Sequence, residues 1–162
     1  MKLVLVVCSL VLNAPTFGQT KKANTMTTEQ KKQLVSRFIY LLTTKQSDKF
    51  GEVISLNYKQ HNPMVKQGLT GIQEGAKWFE VVFPDVQATI DAIVVEGDLV
   101  VARFTWSGTH KGELFGIPAS NVKVTWTGTD WWRIENGKLA EHWDVVDWSG
   151  LIQQIKAKKT ND

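Results

Sequence analysis

The stretch Leu139-Ala140-Glu141-His142-Trp143-Asp144-Val145-Val146-Asp147 brings a histidine and two aspartates onto one alternating segment. Alternation puts Leu139, Glu141, Trp143, Val145 and Asp147 on one face, and Ala140, His142, Asp144, Val146 and Trp148 on the other. The segment before it groups Trp126, Asp130, Trp132 and Ile134. A carboxylate set between a tryptophan and aliphatic neighbours loses solvation, and its pKa rises. That is the condition of a general acid or base near neutrality. The same pattern also fits an outer-face role, with His142 and Asp144 paired to Arg103 or Arg133. Strand phase decides between them, and one β-bulge would exchange the faces.

Other chemistries find little support. His61, His110 and His142 lie far apart, with no carboxylate at diagnostic spacing, so no metal site is expected. There is no Gly-rich phosphate loop and no GxSxG elbow. Seven tryptophans are an unusual load, most of which core and subunit packing would absorb. Trp131 and Trp132 are adjacent on a strand and must face opposite sides, so both faces of the sheet are covered or one aromatic lines a pocket.

The elements that must position these residues are readable from periodicity. Thr27 and Gln30 have capping-box spacing, and Leu34, Val35, Phe38, Ile39, Leu41 and Leu42 form a helical stripe ending near Thr44. Ser47 can cap a short second helix carrying Phe50, Val53, Ile54 and Leu56. Tyr58 to Pro63 reads as an extended crossing or short strand, because Pro63 keeps Asn62 out of helical geometry. A third helix fits Gly71 to Phe83, and Pro84 ends it. The period then changes to two. Strands are expected from Val86 to Val94, Leu99 to Trp106, Val122 to Ile134 and Leu139 to Trp148. Asn136-Gly137 suits the type I′ turn of a hairpin, and Ser149 can cap a last helix with Leu151, Ile152 and Ile155. Helices followed by a four-strand antiparallel meander describe an α+β domain.

Length and charge agree with that reading. The chain has 162 residues, 43% of them hydrophobic and 22% charged, which suits one well-buried core and excludes a disordered or collagenous protein. Its net charge of +3 comes from scattered basic residues, so no nucleic-acid surface is expected. Met1-Lys2, the apolar run Leu3–Leu12 and the small residues around Thr16-Phe17-Gly18 have the form of a signal peptide over residues 1–18. A linker at 19–26 and a single domain over 27–162 would follow, with the mature protein secreted or periplasmic and off the membrane. Cleavage would remove Cys8, the only cysteine, and with it any cysteine nucleophile or disulfide.

Three stretches carry a resemblance to a known family: Tyr58-Lys59-Gln60-His61-Asn62-Pro63; Gly108-Thr109-His110-Lys111-Gly112 with Gly116-Ile117-Pro118; and Arg133 to Asp144 with Asp147. Together, over about residues 28–156, they resemble the SnoaL-like polyketide cyclases of the nuclear transport factor 2-like superfamily. The resemblance implies a cone-shaped curved antiparallel sheet wrapped around the N-terminal helices. This is an NTF2-like, cystatin-like α+β barrel with one deep apolar pocket, homodimeric through the outer sheet face. It implies an intramolecular aldol condensation on a small apolar carbonyl compound, without metal or cofactor. Asp147, the last residue of the Trp-x-x-x-Asp pattern, matches the base, and His61 joins it as catalytic. Asn62 would orient a carbonyl and Trp143 would form an apolar wall. Trp106, His110, Asp130, Trp132 and Asp144 complete the substrate-facing set. Where such cyclases carry Gln and His two apart on the preceding strand, this chain has Asp130 and Trp132. The alternative is an exported, non-catalytic binding protein that uses the same pocket.

Overall fold

The computed structural model describes residues 26–159. The expected leader at 1–18, Cys8 within it and nearly all of the linker lie outside the described residues. In chain order the elements are α1 (Thr28–Thr43), a 3-10 helix (Ser47–Glu52), β1 (Ile54–Gln60), α2 (Gly68–Val82), β2 (Gln87–Glu96), β3 (Leu99–Thr109), β4 (Lys123–Glu135), β5 (Lys138–Val146) and α3 (Trp148–Lys159).

Local chemistry starts and stops these elements much as the residues suggest. Thr27 accepts a hydrogen bond from the Gln30 backbone while the Gln30 side chain accepts from the Thr27 backbone, a full capping box at the head of α1. Asn136 and Gly137 both have positive φ, 50° and 75°, as the type I′ turn between β4 and β5 requires.

The five strands form one sheet in the order β1-β5-β4-β3-β2. Here the structure corrects two expectations. The sheet is mixed, because β1 runs parallel to β5 while the other pairs are antiparallel. It is also open: β1 and β2 are its free edges, so it does not close into a barrel. The extra strand joins Ile54 and Leu56, read as part of a helix, to Tyr58 and Gln60, read as an extended crossing or short strand. Only Ser47–Glu52 coils, and the β-branched pair Val53-Ile54 turns the chain into an edge strand whose Ile54, Tyr58 and Gln60 are buried.

Helices α1 and α2 pack on the sheet face that carries Trp106, Trp126 and Trp132. Phe38 of α1 meets Trp132 edge-on at 6.1 Å, and Phe79 of α2 meets Trp106 and Trp126 at 5.9 and 6.1 Å. Such T-shaped contacts suit the ring quadrupoles and add to the area they bury. Trp132 is buried and Trp131 is half-buried on the opposite face, as their adjacency demands.

Strand β5 contains the deciding irregularity. Arg133 pairs with Glu141 but Ile134 pairs with Leu139, so Ala140 is one residue too many and forms a β-bulge. Leu139 therefore shares the inner face with His142, Asp144 and Val146, while Glu141, Trp143 and Val145 turn outward. β5 ends at Val146, and α3 starts at Trp148 rather than after Ser149.

Candidate functional site

A cavity of about 510 Å3 lies between the inner sheet face and the helices. That is within the roughly 300–1,000 Å3 typical of small-molecule sites. Its walls are apolar and aromatic, from Phe38 and Leu42 of α1, Ile72 and Phe79 of α2, and Trp106, Trp126 and Trp132 of the sheet. Trp78, Phe115 and Trp148 also line it, with Phe115 set edge-on to Trp148 at 5.2 Å.

Of the polar side chains that line the cavity, Gln60, Asn62, Asp130, His142 and Asp144 sit on or beside β1, β4 and β5, and Lys66, Glu74 and Glu113 are the others. Asp130 on β4 and Asp144 on β5 are register partners, as are Trp132 and His142. The Asn62 amide donates to Asp144 Oδ2 at 2.8 Å. His142 Nε2 lies 3.4 Å from Asp130 Oδ1, and His142 Nδ1 lies 2.9 Å from Gln60 Oε1. The imidazole stacks between Tyr58 and Trp132, at centroid distances of 6.2 and 5.2 Å, and Trp132 Nε1 donates to Tyr58 Oη at 3.1 Å.

The loop after β1 is held by side chains. Gln67 donates to the Gln60 carbonyl and accepts from the Gln60 N–H, acting as a missing strand partner. Asn62 Oδ1 accepts from the Met64 N–H, an Asx turn that fixes the amide pointing at Asp144.

Burial pushes the Asp130 carboxyl above the ordinary carboxylate range, the charge of Asp144 adds to the rise, and His142 opposes it. Burial likewise pushes the Tyr58 hydroxyl well above its usual value. No group of three His, Cys, Asp or Glu among the described residues is placed to hold a metal ion.

The residues singled out in the sequence divide between cavity and exterior. Asn62, Trp106, Asp130, Trp132 and Asp144 line the cavity. Asp147 does not: it is exposed, its carboxylate accepts from the Gly150 N–H at 2.8 Å and its carbonyl from Leu151, so it is the N-cap of α3. The bulge at Ala140 and the end of β5 at Val146 give the inner face to Asp144 instead. His61 and Trp143 lie outside the cavity, their rings stacked at 4.6 Å, and His61 Nε2 meets Glu141 Oε1 at 2.7 Å. Glu141 also takes Arg133 and Lys59, and these partners, His61 foremost, hold its carboxyl down to about 2. His110 is fully buried at the base of the β3–β4 connection, with Nδ1 3.0 Å from Ser120 Oγ, and does not reach the cavity.

Two cavity residues had no cavity role assigned from the sequence: Gln60 stood only within the Tyr58–Pro63 motif, and His142 only as a companion of Asp144 on an outer face. Gln60 ends an edge strand of which only the segment from Tyr58 is expected to be extended, and His142 shares its phase with Asp144, whose face alternation leaves open.

A family model described as SnoaL-like polyketide cyclase matches residues 32–155. The chain belongs to the SnoaL-like polyketide cyclase family. With that membership comes the nuclear transport factor 2-like superfamily. Aklanonic acid methyl ester cyclase DnrD of Streptomyces peucetius is 29% identical over 129 residues, spanning 75% of this chain and 88% of that one. Among solved structures, TsrD from Streptomyces laurentii superposes with a TM-score of 0.77 at 32% identity, covering 82% of this chain and 99% of its own. A SnoaL-like polyketide cyclase from Agrobacterium tumefaciens reaches a TM-score of 0.70 at 18% identity, covering 80% and 99%, and speaks for the fold alone. In this SnoaL-like chain, Asp130 and Trp132 stand opposite Asp144 and His142 and line the cavity with them.

Proposed function

We propose that the protein is a cofactor-independent enzyme of aldol or proton-transfer type on a small, largely apolar carbonyl compound, with Asp144 as base and Asp130 as acid. The observation that carries this reading is the facing pair of carboxyl groups in an apolar, aromatic cavity. Like charges so placed disfavour joint ionisation, and burial favours the protonated form of Asp130. Asp130, the carboxyl pushed up by burial and by Asp144, is the proton donor of this reading and lies beside His142.

The chemistry balances without a co-reactant. Asp144 takes a proton from the carbon next to a carbonyl. The enolate carbon bonds to a second carbonyl carbon of the same molecule, whose C=O π electrons move to oxygen. That oxygen takes the proton of Asp130, and the proton gained by Asp144 passes back across the pair. The product is an isomer of the substrate.

The name of the Streptomyces peucetius relative makes aklanonic acid methyl ester the first compound to try. Incubated with this protein in D2O, it is expected to yield a cyclised isomer or to take up deuterium beside the carbonyl, read by mass spectrometry. Asp144→Asn should lower either rate by about 100-fold or more while the ligand still binds. Binding without exchange or product in both proteins would leave the binding-protein reading in its place.

Export belongs to the same proposal. The intact mass of protein recovered from outside the cytoplasm should correspond to a chain beginning near Gln19.

A further inference from the structure

We infer that Gln60 is a positioning residue: its Oε1 fixes a proton on Nδ1 of His142, so that Nε2, the nitrogen facing Asp130, is the only ring atom free to take up or release one. The catalytic use of this arrangement rests on the function proposed above; the tautomer itself does not.

The orientation of the Gln60 amide follows from a donor that cannot change. The Asn62 backbone N–H can only donate, and it lies 3.0 Å from Gln60 Oε1. Turning the amide over would set an NH2 against that N–H. With Oε1 in place, His142 Nδ1 at 2.9 Å must carry a hydrogen, since a lone pair there would face a lone pair. The same hydrogen is present whether the imidazole is neutral or charged. Only Nε2 then differs between the two states.

The ring has little freedom to escape this. Tyr58 and Trp132 stack on His142 at interplanar angles of 17° and 27°, and Gln60 and His142 are register partners in the β1–β5 pair. A half-turn of the imidazole would take Nδ1 from Gln60 and Nε2 from Asp130.

The arrangement has a visible cost. Gln60 Nε2 is buried and has no hydrogen-bond partner among the described residues, a rare condition that is destabilising. The chain tolerates an unpaired amide donor in order to present the oxygen to both Asn62 and His142. The titratable groups around the imidazole are Asp130 from β4, Asp144 two residues along its own strand and Tyr58 from β1. Gln60 is the neutral neighbour. The proton that moves therefore lies on the Nε2 side, where Asp130 is.

Nitrogen-15 spectra of the imidazole rings, recorded on the whole protein without substrate, test this directly. Nδ1 of His142 is expected to be pyrrole-like at every pH, with only Nε2 changing during titration. Gln60→Glu keeps an acceptor at the same place and should keep the Nδ1 proton. Gln60→Leu should lose it in favour of a tautomer mixture. A pyridine-like Nδ1 in the wild type, its appearance in Gln60→Glu, or an unchanged tautomer in folded Gln60→Leu would overturn the inference. If Gln60→Leu does not fold, the other two spectra still decide. A fixed Nδ1 proton in a protein that turns over nothing would uphold the positioning role and refute the enzyme reading.

Discussion

Asp130 and Asp144 stand opposite each other on neighbouring antiparallel strands, and both side chains line the same apolar cavity. Three residues further along the chain, Asp147 caps a helix outside it. The separation is sharp because β5 stops at Val146, one residue before Asp147.

Substitution at these two aspartates should therefore split activity from stability. Asp144→Asn is expected to reduce turnover by about 100-fold or more with small effect on the urea midpoint. Asp147→Ala should leave turnover intact and cost about 1 kcal/mol through the lost cap of α3. Steady-state kinetics and urea unfolding on the two variants check both halves.

Acid stability should depend on Glu141. Its carboxyl is lowered from the ordinary 4.5 to about 2 by His61, Arg133 and Lys59. A depressed carboxylate binds fewer protons folded than unfolded between those values, so its contribution is complete above about pH 4.5 and fades as pH falls toward 2. Glu141→Gln should thus be less stable than wild type near pH 7, and the gap should narrow in acid. Urea midpoints measured from pH 7 down to pH 2.5 test this. A gap independent of pH would assign the stabilisation to packing instead.

Phe115 sits at φ 50°, a backbone region that bulky side chains rarely occupy, in a tight turn with Gly116 closed by the Leu114–Ile117 pair. Its ring lines the cavity beside Trp148. Phe115→Asn should suit the turn better and remove aromatic contact with the ligand. KM is expected to rise by about 10-fold with kcat little changed, the signature of lost uniform binding.

Much of the scaffold was legible because it rests on local chemistry. The Thr27–Gln30 capping box, the Asn136-Gly137 turn and the alternation of Val100, Ala102, Phe104 and Trp106 each express a short-range preference. What escaped depends on distant partners. The parallel pairing of β1 with β5 joins segments about eighty residues apart, and a helical reading of Ile54 satisfied the same apolar spacing. The extra residue at Ala140 leaves no compositional mark, yet it moves Leu139 onto the face of Asp144 and leaves Asp147 outside. His61 and Asn62 are neighbours in one motif, but in the loop after β1 they part to opposite sides, one to Glu141 and the other to Asp144.

The coupling of the two cavity carboxyls is tested most directly by carboxyl-carbon NMR titration of Asp130 in the wild type, in Asp144→Asn and in Asp147→Asn. Asp130 should titrate above its ordinary 3.8, move down when Asp144 loses its charge, and stay unchanged in Asp147→Asn. An Asp130 that titrates at or below 3.8, or that ignores the loss of Asp144, would contradict an acid–base pair at this site.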